Sequence, residues 1–311
     1  MTTDDKSQEP GGALLEDPSR REFVALCAAV GLPAAFSQVH AADAHGHGHV
    51  LAKDVQITTG DGTCTAAYIA PAAGKRPGII IWADIFGLRP VMRTIGHRLA
   101  AAGYAVLVPD PFYRTPQSGT YSKDEIGKFN FQDAGARARM AQNTGPIYAS
   151  GAIETDAKSH VAFLLGQPEV DAEKKMGTLG FCMGGSLVFR TAGSQPDHIG
   201  AAVTCHGAGL VTGTPNSPHL LIPKFQAQVY CAIAGSDDKS QPDAKDKLNA
   251  AFKASSVPQV QKSVAVVYEG TVHGWTVVDM PHQPNGDPIY NKPEAEKAWG
   301  HVLSTFHASL A

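Results

Sequence analysis

The sequence predicts an α/β fold built on a mostly parallel central sheet with helices on both faces. Three observations point there. Apolar runs of strand length recur along the chain, segments with apolar residues at helical spacing separate them, and 43% hydrophobic content is ample for a packed core. Val55–Thr59 and Ala66–Ile69 flank Gly60-Asp61-Gly62, which reads as a tight turn between two strands. The continuous apolar run 78–82 suits a strand buried on both faces. A helix is expected from Pro90 to Ala102, with proline at its start and Gly103 just past its end. Tyr104–Val108 is the next buried strand, stopped by Pro109-Asp110-Pro111. Residues 112–150 are polar and irregular and read as an insertion over one end of the sheet. Helices are expected at 153–165, 185–192, 243–254 and 294–310, and strands at 176–181, 201–205, 229–234 and 264–268.

Composition removes several classes of function. The 311 residues carry 26 Lys+Arg against 29 Asp+Glu, a net charge of −3, which gives no electrostatic basis for binding nucleic acid. No apolar run is long enough to span a bilayer as a helix, so no stable membrane span is expected after processing. Five cysteines are too few for a disulfide scaffold.

The first part of the chain has the layout of an export signal. Arg20-Arg21 precede an apolar stretch from Phe23 to Phe36, and Ala42-Asp43-Ala44 offers a small-residue cleavage site. The paired arginines resemble a twin-arginine signal, which implies a bacterial protein handed folded to that export machinery and delivered to the periplasm or medium. An N-terminal helix or an uncleaved anchor is the alternative. Residues 1–44 are therefore expected to be a signal, with cleavage after Ala44 or Ala41, 45–54 a leader, and 55–311 one domain. The leader carries His45, His47 and His49, which read as part of a plain spacer between signal and domain, with binding of Cu, Ni or Zn as the alternative.

Gly180-Phe181-Cys182-Met183-Gly184-Gly185 lies between an apolar strand and a small-residue helix. A sharp strand-to-helix turn that presents a nucleophile needs glycine on either side. A helix N-terminus beside Cys182 favours a thiolate; a structural cysteine in a packing turn is the alternative. A cysteine nucleophile needs a base and a group to orient that base. The loop after strand 229–234 carries Asp237-Asp238, and the loop after 264–268 carries His273-Gly274-Trp275. This is the chain order nucleophile, acid, histidine, with both loops at the carboxyl edge of the sheet where open α/β folds bind ligands.

Taken with Tyr268, Trp82-Ala83-Asp84-Ile85-Phe86-Gly87, and the closing Tyr290, Glu294, Trp299 and Phe306, these motifs carry a resemblance. From about Val55 to Leu310 the chain resembles the dienelactone hydrolase family of α/β-hydrolases. The resemblance implies hydrolysis of a small-molecule ester or lactone without a cofactor, with Cys182 as nucleophile and His273 as base. It selects Asp238 over Asp237 as the orienting acid, through the spacing from Gly235 and to Pro242. It also implies that Asp84 contacts the thiol, where the family usually carries the longer glutamate, and that the N–H groups of Ile85 and Met183 form the oxyanion hole. A carboxylate capping the helix near Pro90 is the alternative for Asp84.

Phe112, Tyr113, His206 and Trp275 are candidate pocket walls, or ordinary packing residues. Val277 stands where dienelactone-cleaving members place an arginine for the substrate carboxylate, so the same charged lactone is not implied. Arg137 and Arg139 could supply charge from the insertion, or form a solvated face. Cys64, Cys205 and Cys231 are expected as free buried thiols, with a Cys205–Cys231 bridge as the alternative. A general carboxylesterase or thioesterase on the same residues, or a non-catalytic periplasmic metal carrier using the leader, are the competing functions.

Overall fold

A computed structural model describes residues 50–116 and 119–311. The proposed signal and the histidines at 45, 47 and 49 lie outside the described residues.

Eight strands form one sheet in the order β1-β2-β4-β3-β5-β6-β7-β8. β1 (Val50–Thr59) and β2 (Gly62–Pro71) make a long antiparallel hairpin at one edge. β3 (Gly78–Trp82), β4 (Ala105–Pro109), β5 (Met176–Phe181), β6 (Ile199–Cys205), β7 (Gln228–Ala234) and β8 (Val264–Tyr268) are parallel to one another. β2 pairs antiparallel with both β1 and β4 and so runs against the rest. The first strand starts five residues earlier than the sequence suggests. Residues 50–54, read as leader, pair with 67–71. They carry Lys53 and Asp54 on an exposed edge, so half the strand shows no apolar run.

The helices are α1 (Pro90–Ala101), α2 (Lys123–Gly127), α3 (Ala134–Ile147), α4 (Ala152–Leu165), α5 (Gly184–Ser194), α6 (Gly235–Ser240), α7 (Ala244–Lys253), α8 (Pro258–Gln261) and α9 (Lys292–Leu310). α2 and α3 build much of the insertion that reads as irregular in sequence. α2 starts on a Ser122/Glu125 capping box, and the Asp133 side chain caps α3. Among the described residues no helix is long and apolar enough to cross a membrane.

Alternating strand residues feed two hydrophobic cores, one on each face of the sheet. Ile80 and Trp82 enter one, Ile79 and Ile81 the other. The same alternation separates Cys231 from Cys205: they sit in opposite cores, and Cys205 pairs in register with Ala232. No bridge can join thiols on opposite faces of a sheet. Cys64, Cys182, Cys205 and Cys231 are all free.

Candidate active site

The sheet delivers its chemistry at the carboxyl ends of β3, β5, β6, β7 and β8. Directly after β5 the chain turns into α5, and Cys182 at the turn has φ of 52°, a left-handed conformation unusual for a residue with a side chain. Glycine on either side is a steric requirement. A Cβ at Gly180 would fall on the Gly184 carbonyl, and one at Gly184 would fall on the Trp82 carbonyl at the end of β3. Tight approach of this turn to β3 therefore sets Cys182 beside the loop that begins at Ala83.

His273 follows β8 and faces two groups. Its Nδ1 is 2.8 Å from Asp237 Oδ2, and its backbone N–H donates to Ser236 Oγ at 2.9 Å. On its other side lies the Cys182 side chain, close enough to act on the charge of the imidazole. Burial opposes a charge on His273, but Cys182 on one side and Asp237 on the other outweigh it and hold the imidazole well above its ordinary pKa.

The partner of His273 is Asp237, and this corrects the expectation of Asp238. Residues 235–240 form a helical turn directly after β7, so neighbouring side chains diverge by about 100°. Ser236 and Asp237 meet the histidine loop, whereas Asp238 lies 3.8 Å from Lys245 at the start of α7. The sequence offered both acids, and spacing alone could not show which one the turn aims at His273.

Asp84 is also corrected. Both its oxygens are taken by Arg89, at 2.6 and 2.9 Å, and Oδ1 further accepts the Phe86 N–H. Arg89 in turn donates to both oxygens of Asp279, at 2.9 and 2.8 Å. Asp84 is thus neither turned to the sulfur nor a helix cap. It anchors a buried Asp84–Arg89–Asp279 network that ties the loop after β3 to the loop carrying His273. Arg89 and Asp279 are 190 positions apart, so no local sequence signal announces the pair. Within the same loop the Gly87 N–H is bound to the Asp84 carbonyl. The N–H groups of Ile85 and Met183 find no acceptor among the described residues.

Of the four candidate pocket residues, three are drawn elsewhere. Phe112 and Trp275 are completely buried, one in each core, and Trp275 packs on Tyr268 at 4.5 Å between ring centroids. The Tyr113 hydroxyl is held by Thr59 and Asp156 toward the β1 hairpin. Only His206 reaches the site, and it contacts the Cys182 backbone. A residue the sequence reading missed is Tyr148, at the end of α3. Its hydroxyl meets Ser186 Oγ at 3.3 Å, so the insertion places a phenol over the first turn of α5, the helix that follows Cys182. Arg137 donates to the Phe131 and Gln132 carbonyls, and Arg139 pairs with Glu125 over the Tyr121 ring. Among the described residues no cluster of His, Cys, Asp and Glu could hold a metal ion.

A mostly parallel sheet with a cysteine at the strand-to-helix turn after β5, and a histidine loop beyond β8, defines an α/β-hydrolase fold. Residues 65–310 match the model of the dienelactone hydrolase family, and the chain belongs to that family of carboxylic ester hydrolases. It is 30% identical over 149 residues to the carboxymethylenebutenolidase of Rhodococcus opacus, covering 47% of this chain and 51% of that one. A Synechocystis sp. protein provisionally given the same name is 26% identical over 250 residues, 79% of this chain and 92% of the relative. Among solved structures, a dienelactone hydrolase-like promiscuous phosphotriesterase from metagenomic libraries superposes with a TM-score of 0.67. It is 22% identical, over 85% of this chain and all of that one. The dienelactone hydrolase of Anabaena variabilis gives 0.53 at 15% identity, over 84% of this chain and 99% of the other.

Proposed function

We propose that the protein hydrolyses an ester or lactone of a small molecule through a Cys182–His273–Asp237 triad and an acyl-enzyme. The carrying observation is the imidazole of His273, set between the Cys182 side chain and Asp237 Oδ2. His273 takes up the thiol proton ahead of attack, the sulfur adds to the carbonyl carbon, and Asp237 holds the ring with Nδ1–H toward itself and stabilises the imidazolium. The carbonyl oxygen gains negative charge as the tetrahedral intermediate forms. The unbonded N–H groups of Ile85 and Met183 are its donors in this reading, one from the loop after β3 and one from the start of α5. Collapse breaks the carbon–oxygen bond, His273 returns its proton to the leaving oxygen, and a thioester remains on Cys182. Water, deprotonated by His273, then releases the acid and regenerates the thiol.

Relatives named carboxymethylenebutenolidase make an enol lactone the first substrate to test. The test is hydrolysis of p-nitrophenyl acetate and a simple enol lactone by the parent and by Cys182→Ala. Turnover that disappears in the variant supports the reading. A folded parent that turns over neither, with Cys182 inert to iodoacetamide, would sink it.

The same proposal places the enzyme outside the cytoplasm, through the twin-arginine export machinery. Arg20-Arg21, the apolar stretch to Phe36 and Ala42-Asp43-Ala44 support it. Replacing both arginines by lysine should leave an unprocessed protein in the cytoplasm; unchanged processing would remove the twin-arginine route.

A further inference from the structure

We propose that His206 is a positioning residue for the nucleophile, its neutral imidazole holding the Cys182 backbone in register with the histidine loop. Cys182 and His206 are the two non-glycine residues with positive φ among the described residues, at 52° and 42°. They stand at the ends of adjacent strands, since Phe181 pairs with Cys205 in the parallel register of β5 and β6.

The His206 ring is fully buried and both its nitrogens are used. The Cys182 N–H is shared between His206 Nδ1 at 3.2 Å and the Cys205 carbonyl at 3.3 Å, and Nε2 lies 2.9 Å from Thr276 Oγ1. An N–H donor at Nδ1 requires a lone pair there, so the single ring proton is on Nε2 and is donated to Thr276. Thr276 sits three residues after His273, and the two imidazoles meet edge to face with centroids 5.0 Å apart. The His206 backbone N–H is bound to the Ala232 carbonyl of β7 at 2.7 Å. The ring thereby connects the strained Cys182 backbone to the loop that carries His273, while the backbone of the same residue is held to β7.

The groups facing His206 are Cys182 from the turn after β5, Phe181 from β5, and His273 and Thr276 from the histidine loop. Burial, reinforced by His273, pushes its pKa well below the ordinary value. A protonated His206 would present N–H to N–H at Cys182, so the contact exists only in the neutral ring. A ring that merely filled space would need neither nitrogen.

This inference rests on Cys182 being the reactive group, and its test reads the sulfur directly. His206→Phe keeps a ring without polar atoms, and His206→Asn keeps an acceptor near Nδ1 on a residue that tolerates positive φ. Thr276→Val removes the group that fixes the ring. Each variant of the full chain is measured for iodoacetamide alkylation of Cys182 against pH, for kcat and KM with p-nitrophenyl acetate, and for Tm. His206→Phe should slow alkylation and kcat on the order of tenfold, the scale of one buried hydrogen bond, with KM within about twofold. His206→Asn should recover to within about threefold of the parent, and Thr276→Val should fall between. If His206→Phe does not fold, the Thr276→Val and His206→Asn rates decide. Parent-like alkylation in Thr276→Val and His206→Phe, or equal losses in His206→Asn and His206→Phe, overturns the proposal. The alkylation result stands even if the parent hydrolyses no ester, so failure of the reaction and failure of the positioning role are distinguishable.

Discussion

Replacing Asp237 by asparagine tests the acid assignment most sharply, because Asp238 stands beside it as an internal control. In the structure Asp237 Oδ2 accepts from His273 Nδ1 at 2.8 Å, a charge-assisted bond once the imidazole is protonated. An amide of the same shape can present N–H₂ to Nδ1, which forces the ring proton to Nε2 and removes the lone pair that must take the thiol proton. Loss of the correct tautomer costs about 10⁴-fold in kcat in the serine triad, or about 5.5 kcal/mol of transition-state stabilisation. Asp238→Asn removes only a partly exposed pairing with Lys245 at 3.8 Å. Such a pair contributes about 0–1 kcal/mol to stability and nothing to the histidine, so kcat should stay within about twofold. The assay is kcat and KM with p-nitrophenyl acetate for both variants at matched folding, judged by circular dichroism. A large loss in Asp238→Asn with a mild one in Asp237→Asn would refute the assignment and restore the spacing argument.

Three further outcomes follow from buried groups. Arg89→Met strands the fully buried Asp84 without its partner; stability should fall by about 3–5 kcal/mol, roughly 6–15 °C in Tm, and Arg89→Met with Asp84→Asn should recover part of it. His160 has a folded pKa lowered to about 4 by burial, with both ring nitrogens unpartnered among the described residues. Its unfolded form takes up a proton first as pH falls, so stability should drop between pH 6.5 and 4 by about 3 kcal/mol. His160→Phe should flatten that part of the acid denaturation curve, and an unchanged curve would refute the assignment. Iodoacetamide at neutral pH should label Cys182 before Cys64, Cys205 or Cys231, read by peptide mapping. The other three are sealed in the core, where burial pushes each thiol to about 12. Labelling of Cys231 at a comparable rate would contradict the packing.

The parallel strands were legible because a strand buried on both faces must be continuously apolar, as residues 78–82 and 176–181 are. The strand-to-helix turn that carries Cys182 was legible for a steric reason, since it has no room for a Cβ at 180 or 184. Residues 50–54 were not, because an edge strand with an exposed face carries the polar residues of a loop. Nor were α2 and α3, whose helices rest on caps and short apolar contacts instead of a long amphipathic stripe. The choice between Asp237 and Asp238 depends on the phase of one helical turn relative to a histidine 36 positions away. Spacing along the chain carries no information about that phase. Phe112, Tyr113 and Trp275 failed as pocket walls for a related reason: aromatic side chains next to a site motif are needed just as often to fill the core beneath it.

The Asp84–Arg89–Asp279 network explains how the site is assembled without a second acid at the sulfur. An unpaired carboxylate beside Cys182 would oppose formation of a thiolate. Here the buried Asp84 charge is matched by a guanidinium with two forks, and the second fork reaches Asp279 in the loop beyond His273. The loop after β3, which carries Ile85, and the loop that carries His273 are thereby joined through one buried cation. His206 joins the latter loop to the Cys182 backbone on the other side. The three segments that carry Ile85, Cys182 and His273, far apart in the chain, are linked by hydrogen bonds that need no substrate to form. Preorganisation of this kind lowers the reorganisation required when charge develops on the carbonyl oxygen. It also predicts that Arg89→Met affects kcat more than KM, because the loops it aligns act on the transition state and not on the ground state. A rise in KM with unchanged kcat in a folded Arg89→Met protein would show that the network shapes a binding surface instead.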